Sequence, residues 1–169
     1  NFALIIFLIL AISSNDVYAQ SSELKAAKQE VVESIDKLLN DRESVIARKL
    51  ALKKVVQFSI VEATDFIRKI QSFDKLSPTQ IELRNLLLDN LRALVVYQTD
   101  FLKTLENDLL TLEEVKALAV DFKNWREEIY SVELKEALNF ILVFQAADIL
   151  KITAKRFGNI NADLRRLKN

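Results

Sequence analysis

Residues 137–152 read ALNFILVFQAADILKI. At 3.6 residues per turn, Phe140, Val143, Ala147, Leu150, Ala154 and Phe157 line up as one apolar stripe. Leu134, Leu138, Ile141, Ile149 and Ile152 form a second stripe beside it, leaving a narrow polar strip at Asp148, Lys151 and Lys155. A helix apolar over most of its circumference is one that neighbours cover on several sides. Only eleven uncharged residues separate Glu136 from Asp148, short of the roughly 20 that a bilayer span needs. The stretch is therefore expected to be the central helix of a bundle.

The rest of the composition agrees with an all-helical chain. One Gly and one Pro occur in 169 residues, where ordinary usage is about 7% and 5%. Sheets and irregular loops need turn residues, so nearly the whole chain is expected to be helix. Lys plus Arg and Asp plus Glu number 24 each. That balance gives no expectation of nucleic-acid binding, which relies on clustered basic excess.

The amino-terminal end carries an address. Residues 2–12 are uniformly apolar, residues 13–16 are polar, and Val17-Tyr18-Ala19 puts small residues at −3 and −1 of a cleavage site before Gln20. Residues 1–19 are thus read as a signal peptide whose basic n-region precedes Asn1, and residues 20–169 as one helical domain. The alternative is an uncleaved membrane anchor. Outside the cytoplasm disulfides are permitted, yet the chain has no Cys. A domain of this size can bury most of its surface without them. Cysteine-free export fits a bacterial envelope or periplasmic protein better than a eukaryotic secreted one.

Further along, positions 24, 28, 31, 35, 38, 42, 45, 49, 52, 56, 59, 63, 66, 70 and 73 alternate steps of four and three, and eleven of these fifteen are apolar. This is a heptad seam, the pattern by which helices recognise one another lengthwise. It weakens at residues 40–44, where a kink in one long helix is expected. Leu76-Ser77-Pro78-Thr79-Gln80-Ile81 marks a helix start: Ser77 as N-cap, Pro78 at the first helical position, Gln80 completing a capping box. A second seam runs 81, 84, 88, 91, 95, 98, 102, 105, 109. Thr111 and Glu114 repeat the capping box, and Val115, Leu118, Ala119, Phe122, Trp125 and Ile129 follow as the next stripe. After Tyr130 the apolar register slips by one position, which implies a corner or a kink near Ser131. Gly158 is placed as a C-cap, with a short last helix from Asn161. The fold expected is an all-α antiparallel bundle of about four helices: a long helical hairpin plus two further helices, with coiled-coil-like seams. If residues 22–73 fold back on the next helix at 74–77, Arg42, Arg48, Lys49, Lys53 and Lys54 lie beside Glu106 and Asp108.

The chemistry open to such a chain is narrow. It has no His, Cys or Met, which removes the commonest general base, thiolate nucleophiles, ordinary haem ligation and Glu-x-x-His di-iron sites. One glycine cannot build a phosphate-binding loop. The carboxylates Glu113, Glu114, Glu127, Glu128, Glu133 and Glu136 remain, but acidic residues in first turns complement the helix dipole. No catalytic residue, metal site or small-molecule cofactor is expected. Trp125, Arg126 and Tyr130 form the one cluster resembling an interaction surface, since aromatic rings stack on cations and sugars. Trp125 also falls on the stripe of Phe122 and Ile129, and its main expected role is core.

These readings converge on a non-enzymatic extracytoplasmic protein that acts as an interaction or structural module. A protein partner or self-association through helical faces is expected. Membrane contact is expected only through an uncleaved amino terminus or the basic end at Lys151, Lys155, Arg156, Arg165, Arg166 and Lys168. The alternatives are a periplasmic holdase or carrier for an apolar client, and a membrane-tethered sensor bundle.

Overall fold

The structure, a computed structural model, describes residues 21–41 and 44–167, without the side chains of Ala162, Arg165 and Leu167. The signal segment 1–19 lies outside the described residues. Helix α1 spans Ser22–Asn40, α2 Val45–Gln71, α3 Pro78–Thr104, α4 Leu112–Trp125 and α5 Ser131–Leu167. A π-helical turn, Arg126–Tyr130, joins the last two. No strand occurs among the described residues, and the architecture is an all-α bundle.

Local chemistry sets each start. The Ser21 hydroxyl accepts from the Leu24 N–H, and that of Ser44 from the Ala47 N–H. Ser77 and Gln80 form a reciprocal capping box with Pro78 in the first turn, as the sequence predicts. Thr111 and Glu114 form the second box. Each such cap satisfies amide protons that the helix itself leaves unpaired.

Ion pairs and ring contacts give the topology. Glu23 pairs with Arg68 and Glu30 with Lys54, so α1 runs antiparallel to α2. Lys49 reaches Asp108 at 3.0 Å beyond the far end of α3, close to the register expected from charge. Tyr130 contacts Ser59 and Glu62 near mid-α2, whereas Phe140 and Phe144 meet Phe73 just past its end. The last rod therefore runs parallel to α2. It is antiparallel to α3, since Phe122 meets Phe101, Trp125 meets Tyr97 and Glu133 meets Asn90. Up, down, up, down with short connections is the simplest bundle topology.

Four expectations change. Ser22–Asn40 and Val45–Gln71 are two antiparallel helices rather than one kinked helix, because Arg68 and Glu23 could not meet along one continuous helix. The long hairpin thus contains two helices in its first arm. The slip after Tyr130 is no corner, since the helix runs on through it as a π turn. The π turn inserts one extra residue, with the Ser131 N–H bonded to the Arg126 carbonyl five residues back. This keeps Phe122, Tyr130, Leu134 and Ala137 all facing the core. Gly158 is no cap: α5 runs through it without positive φ and through Asn161 as well.

The fourth change concerns residues 137–152. The central helix is α2, which packs against α1, α3, α4 and α5 and buries even Ser59, Glu62 and Asp65. Among the described side chains of α5, only Leu134, Ala137, Phe140 and Ile141 are buried, with Phe144 half-buried. Every residue of 145–161 is exposed. The rod from Leu112 to Asn161 is 50 residues long, about 75 Å at ~1.5 Å per residue. The 27 residues of α2 reach only about 40 Å. The last helix outruns the bundle.

Candidate functional site

Trp125, Arg126 and Tyr130 are adjacent in space, but two of them point inward. The Arg126 guanidinium donates to Ser59 Oγ at 2.6 Å and pairs with Glu62 at 3.5 Å. The Tyr130 hydroxyl lies 2.8 Å from both the Ser59 carbonyl and Glu62 Oε2. Arg126 also stands over the Tyr130 ring at 5.1 Å. All four residues are buried. The π turn presents both Arg126 and Tyr130 to α2 within one turn, and so builds a polar lock between the two helices. Trp125 is half-buried and stacks on Tyr97 with ring centroids 4.2 Å apart. Its indole touches both apolar clusters of the core and joins them. Burial, with Asp121 nearby, pushes the Tyr97 hydroxyl above its usual pKa. What this cluster offers to solvent is therefore the edge of Trp125 and Tyr97.

The carboxylates serve the helices. Glu114 accepts from the Thr111 backbone N–H at 2.7 Å, and this bond, with the Thr111 hydroxyl, lowers its pKa. Glu113 pairs with Lys116, Glu127 with Lys123, and Glu133 accepts from Asn90. Among the described residues no group of three potential ligands is placed to hold a metal ion.

The exposed apolar surface gathers instead at one end of the molecule. A groove of about 450 Å³ runs between the start of α3 and α5, lined by Leu83, Leu87, Phe140, Val143 and Phe144 with Glu136 at its edge. From Val143 it continues onto the protruding arm, residues 145–167. There Leu150 is 69% exposed, Phe157 67%, Ile160 56% and Leu164 51%.

The arm changes face where the bundle ends. The bundle-docked row Leu134, Ala137, Ile141 continues along the helix into Asp148, Lys151 and Lys155. The arm's apolar row starts at Val143, two positions past Ile141 and so roughly 200° round the helix. Two apolar faces are used in succession on opposite sides. From sequence they look like one helix apolar all round. The continuation of the buried row into Asp148, Lys151 and Lys155 is the signal that separates them. By length and composition the rod could cross a membrane, and only 17% of its most apolar stretch is buried. That stretch holds no more than two charged side chains.

No protein-family model, curated protein or solved structure matches this chain.

Proposed function

We propose that the protein is a non-enzymatic interaction module, working outside the cytoplasm of a bacterium, whose bundle holds out an apolar arm to a helical partner. The observation that carries this reading is the exposed row Val143, Leu150, Phe157 and Leu164, which starts at the groove and runs on past the end of the bundle. Leaving such side chains in water forgoes about 25 cal/mol per Å² of apolar surface. Contiguous exposed patches mark surfaces that are covered in use. The extracytoplasmic location rests on the apolar run 2–12, the Val17-Tyr18-Ala19 site and the absence of cysteine.

A hydrophobic dye tests the reading. The dilute native chain is expected to enhance anilinonaphthalene sulfonate emission. A variant with Leu150→Asp and Phe157→Asp should lose that enhancement while its bundle melts unchanged. Equal dye binding by both proteins would move the apolar surface off the arm and sink the reading.

One observation favours a second reading, the membrane-tethered bundle. Glu23 meets Arg68 near the end of α2, so the chain enters the bundle at the end from which the arm leaves. An uncleaved anchor and the arm would then face the same side. Recovery of intact residues 1–19 in the membrane fraction selects this version; a mature terminus at Gln20 rejects it.

A further inference from the structure

We infer that the partner of the arm is a second copy of the arm, paired with it antiparallel as a two-stranded coiled coil. This rests on the reading of the arm as an interaction surface and names its occupant. Positions 143, 146, 150, 153, 157, 160, 164 and 167 alternate steps of three and four without a break. They carry Val, Ala, Leu, Thr, Phe, Ile, Leu and Leu, so only Thr153 is polar. A strict 3.5-residue repeat drifts about 20° per heptad around a straight helix, and supercoiling with another helix absorbs that drift.

A flat lipid surface asks for something else, a row that stays on one side of a straight helix. The row that starts at Val143 and stays in line on a straight helix passes through Ala147, Leu150, Ala154, Phe157, Asn161, Arg165 and Lys168. Asn161, Arg165 and Lys168 interrupt it, while the drifting row passes them by. The apolar strip follows the path of a partner helix rather than that of a plane.

Orientation follows from size and charge. With the midpoint between residues 158 and 159, Phe157 meets Ile160 of the other copy, Leu150 meets position 167, and Leu164 meets Thr153. Each layer then combines a large residue with a complementary one. A parallel pair would stack Ala146 on Ala146, Thr153 on Thr153 and Phe157 on Phe157, giving layers of very uneven volume. Arg156 and Asp163 occupy the same flanking heptad position, seven residues apart. In antiparallel helices that position faces its own kind, which sets Arg156 of each copy against Asp163 of the other. The contact is isologous and closes as a dimer. The paired layers start at Leu150, beyond Ile141 and Phe144, the last residues of the helix that pack on the bundle.

Sedimentation of the full chain over a range of concentrations should show a monomer–dimer equilibrium. Phe157→Asp should weaken it at least about tenfold, equivalent to roughly 1.4 kcal/mol, with the bundle melt unchanged because Phe157 is exposed and belongs to neither cluster of the bundle core. Arg156→Asp should weaken the dimer, and adding Asp163→Arg should restore it. The chain has no cysteine, so oxidation of a Thr153→Cys/Leu164→Cys variant gives a background-free register. A link between 153 and 164 of different copies supports the pairing. A monomer at every concentration, a dimer indifferent to Phe157→Asp, or links from 153 to 153 overturns it. A monomer that floats with phosphatidylglycerol vesicles in a Phe157-dependent way also overturns it. In that case the arm remains an interaction surface, and its occupant is a lipid surface.

Discussion

Arg126 and Glu62 form a fully enclosed ion pair, and enclosed pairs behave asymmetrically. Both charges lose hydration, and they are tolerated because Ser59 and Tyr130 complete their hydrogen bonds. Removing one partner leaves the other charged and buried, so Glu62→Leu alone should cost about 3–5 kcal/mol. Arg126→Met combined with Glu62→Leu should recover most of that loss, since two apolar groups of similar volume replace the pair. Urea melts of both variants check this; a double variant as weak as the single would show that the lock matters as a hydrogen-bond network. Trp125 joins the two halves of the core. Its emission should be blue-shifted in the native state, and Trp125→Ala should cost about 3 kcal/mol, the low end for a large aromatic because one edge is exposed. Emission like that of free indole would contradict its stacking on Tyr97.

Among the elements, the π turn is the unusual one. It holds one more residue than an α turn, so deleting exposed Glu128 should convert it to α-helix and leave both flanking rows facing α2. Deleting exposed Lys135 instead rotates Ala137, Phe140 and Ile141 by about 100° away from the core. Each lost large side chain forfeits about 1.5–3 kcal/mol. Thermal melts should therefore separate the two deletions widely, with the first close to the native protein. Equal damage would mean that the π turn is held by its own contacts rather than by register. The caps make smaller contributions. Ser77→Ala should cost about 1 kcal/mol, the usual value of a lost N-cap, and a change indistinguishable from zero would place the start of α3 elsewhere.

The molecule as a whole divides into a bundle and an arm, and the two should respond independently. Nothing in 145–161 is buried against α1–α4, so a chain ending after Gln145 should keep the melting temperature of the full chain. Only the helical circular dichroism of the arm should disappear. A large drop in melting temperature would show that the arm packs back on the bundle in solution. Independence also suits the proposed role, since a partner can be engaged or released without disturbing the core.

Much of this protein is settled by short-range chemistry, and that part is legible in its sequence. The starts of α3 and α4 follow from Ser77, Pro78 and Gln80 and from Thr111 and Glu114, because a cap is satisfied within three residues of itself. Helical content follows from the scarcity of Gly and Pro, and the slip after Tyr130 is the π turn seen in one dimension. Periodicity records that a face is apolar but carries no information about which neighbour covers it. The seam of residues 22–73 therefore read as one helix, although its two halves face each other. Gln98 is a polar residue in an apolar seam, yet it is fully buried. The two sides of residues 137–152 read as joint burial, although one docks on the bundle and the other projects past it. Only the relative lengths of the packed helices decide where the bundle ends, and that end turns the same apolar residues from core into candidate interface.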